Sequence, residues 1–377
     1  MYIEFSDDYA SALQSQQGCD LWEPIEHAYN AFRNHYHFIF CESRKCANTI
    51  LNYAEKKDRS DIAILFKTIH DNFTQIGTIK NKLLIYASVI PENDLWQISN
   101  DKKEIQIGIN IAKKSELWEK TIFLPENIDD DCYFKIIIDT QKELKQNSLC
   151  YLDYNYEPDN GGGSSSYRTL LRKGKQPHFI FGIFDSDSKN PEKPTKLGDT
   201  AKNVKKNTYT ANVGYIILQL HEMENLFYSE AFIEKYADNN KKSEILNQHK
   251  KIKEKYPEYE KFFDAKTGYT IKNAYDDYDF LIPFINKDEV KCEEYQNHSQ
   301  NCQQCVECNV HVFKPCANEI KNKLRINFYD ENKQETKNIQ DIIPIIKKSP
   351  EYIQKEWERI FENSISWFCY GRLESRA

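Results

Sequence analysis

The chain has 377 residues, of which 51 are basic and 58 are acidic, and its formal net charge is −7. This balance excludes a protein that coats nucleic acid through general positive charge, so any such binding must come from a local patch or a bound metal. The length is sufficient for two or three domains. No segment has the apolar length of a membrane span, and the first residues lack the basic character of a signal peptide. We therefore expect a cytoplasmic protein with no membrane partner.

The first predicted unit, residues 1–115, is a mainly helical N-terminal domain. Apolar residues recur at helical spacing over 51–57 and 62–73, whereas 94–111 has the character of strands.

Residues 116–235 alternate between strand and helix. Strands are predicted at 121–126, 150–156, 179–184 and 215–220, with helices at 132–145 and 167–173. This order is typical of an α/β fold with a parallel sheet, whose sites lie beyond the carboxyl ends of the strands. Acidic residues follow several of these strands, and a glycine cluster lies in one crossover.

Asp185 and Asp187 follow a buried strand directly. Side chains two apart on a strand share a face, and two carboxylates with no cation between them repel each other. Mg²⁺ binds a few carboxylate oxygens and keeps several waters, so the pair indicates a divalent-metal site. The alternative is a polar turn, because Asp, Ser, Asn and Pro all favour turns.

Taken together, these features resemble the Toprim domain of OLD-type nucleases (overcoming lysogenization defect) and related phage-defence effectors. The resemblance covers roughly residues 118–235. The matching positions are Glu126 with Asp130, Gly161 to Gly163, Asp185 with Asp187, and Glu222 with Glu224. The family usually has glycine after the first glutamate, where this chain has Asn127, so Glu157 at the end of the next predicted strand is kept as an alternative first acid.

The resemblance implies a Toprim-like core and a metal-dependent nuclease that cuts DNA or RNA in anti-phage defence. Asp185, Asp187 and one of Glu222 or Glu224 would hold one or two Mg²⁺ or Mn²⁺ ions. Glu126 would be a further metal ligand or a general base, and Asp130 completes the catalytic set. Because the chain has no Walker A sequence, an ATPase or sensor would be a separate protein.

Phosphate binding is predicted just after the second strand. Gly161, Gly162 and Gly163 permit close backbone approach to a phosphate, and the basic residues that follow can neutralise nucleic-acid phosphates. These basic residues are Arg168, Arg172 and Lys173. The alternatives are a flexible surface turn and a solvated helix face.

The last predicted unit, residues 236–377, is helical and carries a zinc-binding segment at 292–316. Cys302, Cys305 and Cys308 recur at two-residue gaps, a spacing that suits tetrahedral zinc. The remaining ligand would be one of Cys292, His298, His311 and Cys316. Reduced thiols, an iron–sulfur cluster and a histidine-containing endonuclease module are the alternatives. A closing helix is predicted after Ser349 and Pro350, with an apolar stripe of Trp357, Phe361, Ile365 and Phe368.

Two other functions remain open. The segment Phe-Asp-Ser-Asp-Ser also resembles the nucleophile loop of haloacid-dehalogenase phosphatases, although Lys189 stands where that family has Thr or Val. The third possibility is a zinc-stapled interaction module without catalysis. Metal-dependent cleavage of plasmid or tRNA separates the nuclease from the interaction module. An aspartyl-phosphate, or hydrolysis of a small phosphomonoester, would favour the phosphatase.

Overall fold

Two sheets with mainly parallel strands organise the chain. The computed structural model describes residues 1–15, 21–144, 152–188, 197–255, 257–270, 311–313, 315, 317–328 and 339–371. The first sheet contains β1 (Tyr2–Phe5), β2 (Phe38–Cys41), β3 (Tyr86–Val89), β4 (Trp96–Ile98) and β5 (Glu104–Ile107). The second contains β6 (Ile122–Pro125), β8 (Glu157–Pro158), β9 (Ile180–Phe184) and β10 (Val213–Ile217). Two further strand pairs are β7 (Leu152–Tyr154) with β13 (Cys369–Gly371) and β11 (Tyr269–Thr270) with β12 (His311–Phe313).

Helices cover both sheets. Those of the N-terminal part are α1 (Asp7–Ser15), α2 (Glu23–Arg33), α3 (Arg44–Lys56), α4 (Ser60–Asp71), α5 (Phe73–Lys80) and α6 (Ile109–Ala112). Those that follow are α7 (Asp131–Leu144), α8 (Ser166–Gly174), α9 (Asp199–Lys206), α10 (Glu230–Tyr236), α11 (Asn239–Lys255), α12 (Ala317–Phe328), α13 (Ile339–Lys348) and α14 (Glu351–Phe368). Among the described helices, none combines the length and the apolar character needed to cross a membrane.

The N-terminal sheet was foreseen only in part: β4 and β5 lie within 94–111, where strand character was predicted, whereas β1, β2 and β3 were not predicted. The helices predicted at 51–57 and 62–73 correspond to α3 and α4, but they pack with a sheet of strand order β2-β1-β3-β5-β4. Strands β1, β2, β3 and β5 run parallel, and β4 is antiparallel to β5. Every residue of β1 and β2 is buried. A four-residue strand buried on both faces shows no alternation, so the expectation of a mainly helical domain is corrected to an α/β arrangement.

The second sheet has the predicted parallel character. Its order is β10-β9-β6-β8, and β6 runs parallel to both neighbours. Phe123 and Phe181 belong to the large core that includes α14, whereas Leu124, Ile180 and Phe184 form a second core cluster with residues of α8 and α9. The sheet is therefore covered on both faces. The predicted helices at 132–145 and 167–173 are confirmed as α7 and α8, within the described residues.

The strand predicted at 150–156 is wrong as a single element. Residues 152–154 form β7, which leaves the sheet and pairs antiparallel with β13. Only the two residues of β8 pair with β6. The chain divides here because Tyr156 packs into an aromatic cluster, with its ring 5.2 Å from that of Phe123 and 4.8 Å from that of Phe368.

The closing helix is confirmed as α14, directly after Pro350. Its predicted stripe of Trp357, Phe361, Ile365 and Phe368 is buried. Buried side chains from Met1 to Cys369 belong to one core cluster, so α14 contributes to a core shared with the N-terminal sheet. The domain boundaries near 115 and 235 stay a prediction.

The predicted zinc segment lies almost wholly outside the described residues. This applies to Cys292, His298, Cys302, Cys305, Cys308 and Cys316. His311 begins β12, but its side chain is also outside the described part. The zinc site therefore stays a prediction.

Candidate functional site

A cleft of about 480 Å³ opens at the carboxyl ends of β6 and β9. The six acidic residues predicted for the site all line this cleft, and Asp129 joins them. The six are Glu126, Asp130, Asp185, Asp187, Glu222 and Glu224. They come from three separate segments of the sequence, and the parallel sheet brings the ends of those segments together.

Strand register places Glu126 beside Asp185. Pro125 of β6 is paired with Ile183 of β9, and the backbone N–H of Asp185 donates to Oε2 of Glu126 at 3.2 Å. Burial raises the pKa of Glu126 to about 7, and the Asp187 carboxylate adds to the effect. Burial also raises the pKa of Asp185 well above its usual value, helped by Glu224 and Glu126. These carboxyls therefore resist ionisation until a cation joins them.

Asp187 lies on a strained turn, not on the strand. Strand β9 ends at Phe184, and Asp187 has a φ of 49°, in the left-handed region that non-glycine residues seldom adopt. The turn is held by bonds from Asp187 N to His221 O (2.9 Å) and from Gly198 N to Ser186 O (2.8 Å). Asp185 and Asp187 therefore do not share a face of β9, as strand alternation predicted, although both side chains line the cleft. Such strain is common at functional sites.

Glycine is required at position 198 because of this turn. A Cβ atom there would lie 2.1 Å from Oδ2 of Asp187. Gly198 thus allows the backbone to pass directly behind the carboxylate.

Glu222 and Glu224 follow β10 but have different partners. Glu222 precedes a 3-10 turn at Met223–Phe227, and its backbone N–H donates to Oδ1 of Asn225 at 3.2 Å. Its Oε2 is buried without a hydrogen-bond partner among the described residues, and burial raises the pKa of Glu222 to about 7. Burial would also raise the pKa of Glu224, but the ammonium groups of Lys321 and Lys266 outweigh it and lower that pKa. Glu222 is therefore the better available metal ligand.

The cleft is also lined by three basic residues that were not predicted from the sequence. They are Lys266, Lys321 and Arg325. The Lys321 ammonium lies 3.1 Å from Oδ1 of Asp130 and 2.7 Å from Oε1 of Glu224. Burial would lower the pKa of Lys321, but the two carboxylates outweigh it, raise that pKa and keep the group charged. The available signal was helical spacing, because residues 321 and 325 share one face of α12.

The predicted basic residues do not line the cleft. Arg168 is exposed and donates to the Tyr167 hydroxyl at 2.9 Å. Arg172 is exposed, and Lys173 is paired with Asp159. The reason is topological, since a crossover helix runs back from the carboxyl edge of the sheet, and Arg172 and Lys173 lie in the last turn of α8.

The glycine cluster has a packing role that was not foreseen. Gly163 lines the cleft, and its N–H donates to the Glu126 carbonyl at 3.0 Å. A Cβ at Gly161 would lie 2.2 Å from the Pro125 carbonyl oxygen, and Gly162 has a φ of 88°. The glycines therefore let this loop pack directly on the end of β6.

Glu157, the alternative first acid, lies elsewhere. It is paired with Ile122 at the start of β6, its side chain is 63% exposed, and its nearest cation is Lys120 at 3.6 Å. It is absent from the cleft lining.

The residues of the cleft suit a divalent cation. Seven carboxyls face three basic side chains there, and Glu126, Asp185 and Glu222 have raised pKa values. Hard divalent ions bind through such oxygen ligands. No protein-family model and no curated protein matches the sequence, and no solved structure matches the fold.

Proposed function

We propose that the chain is a metal-dependent nuclease with a Toprim-like core and that the acidic cleft is its active site. The observation that carries the proposal is the meeting of Glu126, Asp185 and Asp187 at one edge of a parallel sheet. The hydrogen bond from the Asp185 N–H to Oε2 of Glu126, at 3.2 Å, supports the expectation from the Toprim resemblance that these two acids belong to one site.

Charge supports the requirement for a metal. Seven carboxyls against three basic residues repel a polyanion such as nucleic acid, unless bound cations offset that repulsion. Glu126, Asp185 and Asp187 would hold Mg²⁺ or Mn²⁺, with Glu222 as the available further ligand. When bound, the ion lowers the pKa of an attacking water and polarises the phosphodiester.

The remaining residues divide between holding the site and attracting substrate. Lys321 fixes Asp130 and Glu224 through its two ion pairs, so these two acids act as its partners. Arg325 and Lys266 line the cleft, where they can contact phosphates, and Lys266 also pairs with Glu224 at 3.6 Å. The backbone turn around Asp187 keeps that carboxylate directed into the cleft.

The test is cleavage of supercoiled plasmid and of tRNA with Mg²⁺ or Mn²⁺, compared with EDTA. Asp185→Ala and Asp187→Ala should each abolish cleavage, while leaving the fold intact or more stable because a repulsion is lost. Cleavage at the full rate by the double variant would contradict the proposal. Hydrolysis of a small phosphomonoester without nucleic-acid cleavage would instead favour the haloacid-dehalogenase function.

A role in anti-phage defence in the cytoplasm, with a separate ATPase or sensor, rests on the family resemblance. The same assay shows whether the substrate is DNA or RNA, because it compares cleavage of plasmid with cleavage of tRNA.

A further inference from the structure

A second cluster of potential metal ligands lies at the side of the cleft. It consists of His221, Glu222 and Asp264, whose ligand atoms all lie within 4.8 Å of one another. Only Glu222 also lines the acidic cleft. His221 and Asp264 do not belong to the set described above, and no motif in the sequence pointed to them.

His221 is oriented as a metal-binding histidine would be. His221 is only 2% exposed, and its Nδ1 lies 3.1 Å from the Ser188 carbonyl oxygen. A carbonyl oxygen can only accept, so Nδ1 carries a proton, and in the neutral imidazole Nε2 is the nitrogen with a free lone pair. Nε2 then faces the carboxylates, 4.0 Å from Glu222 Oε1 and 3.9 Å from Asp264 Oδ2. Metal-bound histidines commonly donate their other ring N–H to a carbonyl in this way.

Neither carboxylate lies within hydrogen-bonding distance of that nitrogen, although both are close enough to form an ion pair with it when the imidazole is protonated. The separations are longer than a hydrogen bond allows. An ion with bonds of about 2.0–2.2 Å would require the three groups to close by less than about 1 Å. The Oε2 of Glu222 is buried and lacks a hydrogen-bond partner among the described residues, so one ligand position is already desolvated and unused.

The backbone around the cluster is fixed in advance. Oδ1 of Asp264 accepts from the N–H groups of Lys266 (3.2 Å) and Thr267 (2.8 Å). His221 N donates to the Lys261 carbonyl at 3.1 Å, which joins the two segments that supply the ligands. Hydrogen-bonded carboxylates of this kind are typical of metal sites.

We propose that His221, Glu222 and Asp264 form a second metal site that takes a divalent transition-metal ion. One imidazole nitrogen with carboxylate oxygens favours ions such as Mn²⁺, Fe²⁺ or Zn²⁺ over Mg²⁺, which prefers oxygen alone. Three protein ligands leave coordination positions open to water or substrate. The proposal goes beyond nuclease activity, since ion binding here can be measured whether or not the cleft cuts nucleic acid.

The test is pulsed EPR of Mn²⁺ bound to the full-length protein, because it detects coupling between Mn²⁺ and an imidazole nitrogen. The wild type should show this coupling, and an excess of about a hundredfold Mg²⁺ should not remove it. His221→Gln should abolish the coupling, and Asp264→Asn should weaken the nitrogen-coupled Mn²⁺ by about tenfold or more. His249→Gln is the matched control, because His249 is equally buried, with Glu260 at 3.1 Å and Glu230 at 3.8 Å, and should keep the signal.

Absence of nitrogen coupling in the wild type at saturating Mn²⁺ would overturn the proposal, whatever the variants do. Coupling that persists in His221→Gln would also overturn it, because the nitrogen would then come from another histidine. A protein that keeps the coupling but cuts no nucleic acid would contradict the nuclease and leave the second metal site standing.

Discussion

At the carboxyl edges of the two sheets, acidic residues follow the strands in the same way, but they have different surroundings. In each sheet, two adjacent parallel strands end side by side and an acid follows each strand. In the first sheet these acids are Asp7 and Glu42, and in the second they are Glu126 and Asp185. Both arrangements look alike in sequence.

The groups that surround the acids distinguish the two edges. The Asp7 N–H donates to Glu42 Oε2 at 2.8 Å, and the Ser43 hydroxyl, which caps α3, also donates to Asp7. These acids therefore fix helix starts. At the second edge, Glu126 and Asp185 also accept backbone bonds, from the N–H groups of Asp185 (3.2 Å) and Met223 (2.9 Å), but both face further carboxyls in a cleft. The comparison shows that an acid at a strand end indicates a site where further carboxyls converge on it, whether or not a backbone donor also contacts it.

The largest expected effect is a difference in cleavage rate between two variants of the second sheet, one at an acid in the cleft and one at an acid outside it. Glu126→Gln should lower the cleavage rate by about a hundredfold or more, because it removes an anionic ligand or a base. Glu157→Gln is the control, since Glu157 is 63% exposed and lies away from the cleft. Initial rates on the preferred nucleic acid measure both. The reverse ranking would move the first acid to position 157.

The second prediction uses pH to compare Glu4, in β1 of the first sheet, with Glu126, which directly follows β6 of the second sheet. Burial raises the pKa of Glu4, in β1, to about 7 although it pairs with Lys80 at 2.5 Å. The pKa of Glu126 is also raised to about 7. The unfolded chain ionises first, so in EDTA the free energy of unfolding should fall as pH rises from about 4.5 to 7. Each group contributes about 3 kcal/mol.

Denaturant unfolding across this pH range is the measurement. Glu4→Gln should remove the part of the decrease in unfolding free energy that comes from Glu4. Mn²⁺ should offset only the part that comes from the cleft, because the ion binds the ionised carboxylates there. A decrease that Mn²⁺ removes entirely would show that Glu4 does not behave as described.

The smallest expected effect concerns the edge of the first sheet. Ser43→Ala removes the bond from Cys46 N–H to the Ser43 hydroxyl, which is 3.0 Å long. Loss of a helix N-cap should lower the free energy of unfolding by about 1 kcal/mol. Cleavage should remain unchanged. A large loss of activity in this variant, with stability preserved, would give the first edge a function that its hydrogen bonds do not suggest.

The sequence was sufficient where the signal was local. Asp185 and Asp187 directly follow a visibly apolar strand, and the apolar stripe of α14 repeats at helical spacing. It was not sufficient where partners are distant. Lys321 reaches the cleft, and Asp264 reaches the histidine cluster, only because the chain folds back. Neither residue lies in a recognisable motif. Strand β1 was missed because four buried residues carry no period.

The pairing of Lys321 with Asp130 has a consequence for folding order. The two residues are 191 positions apart, so their contact closes a long loop, and loop-closure entropy grows with loop length. The strands that carry Glu126 and Asp185 are much closer in sequence, so their pairing closes a shorter loop. Because Lys321 follows every acid of the cleft in the sequence, those acids gain its positive charge only once helix α12 has been made and has docked.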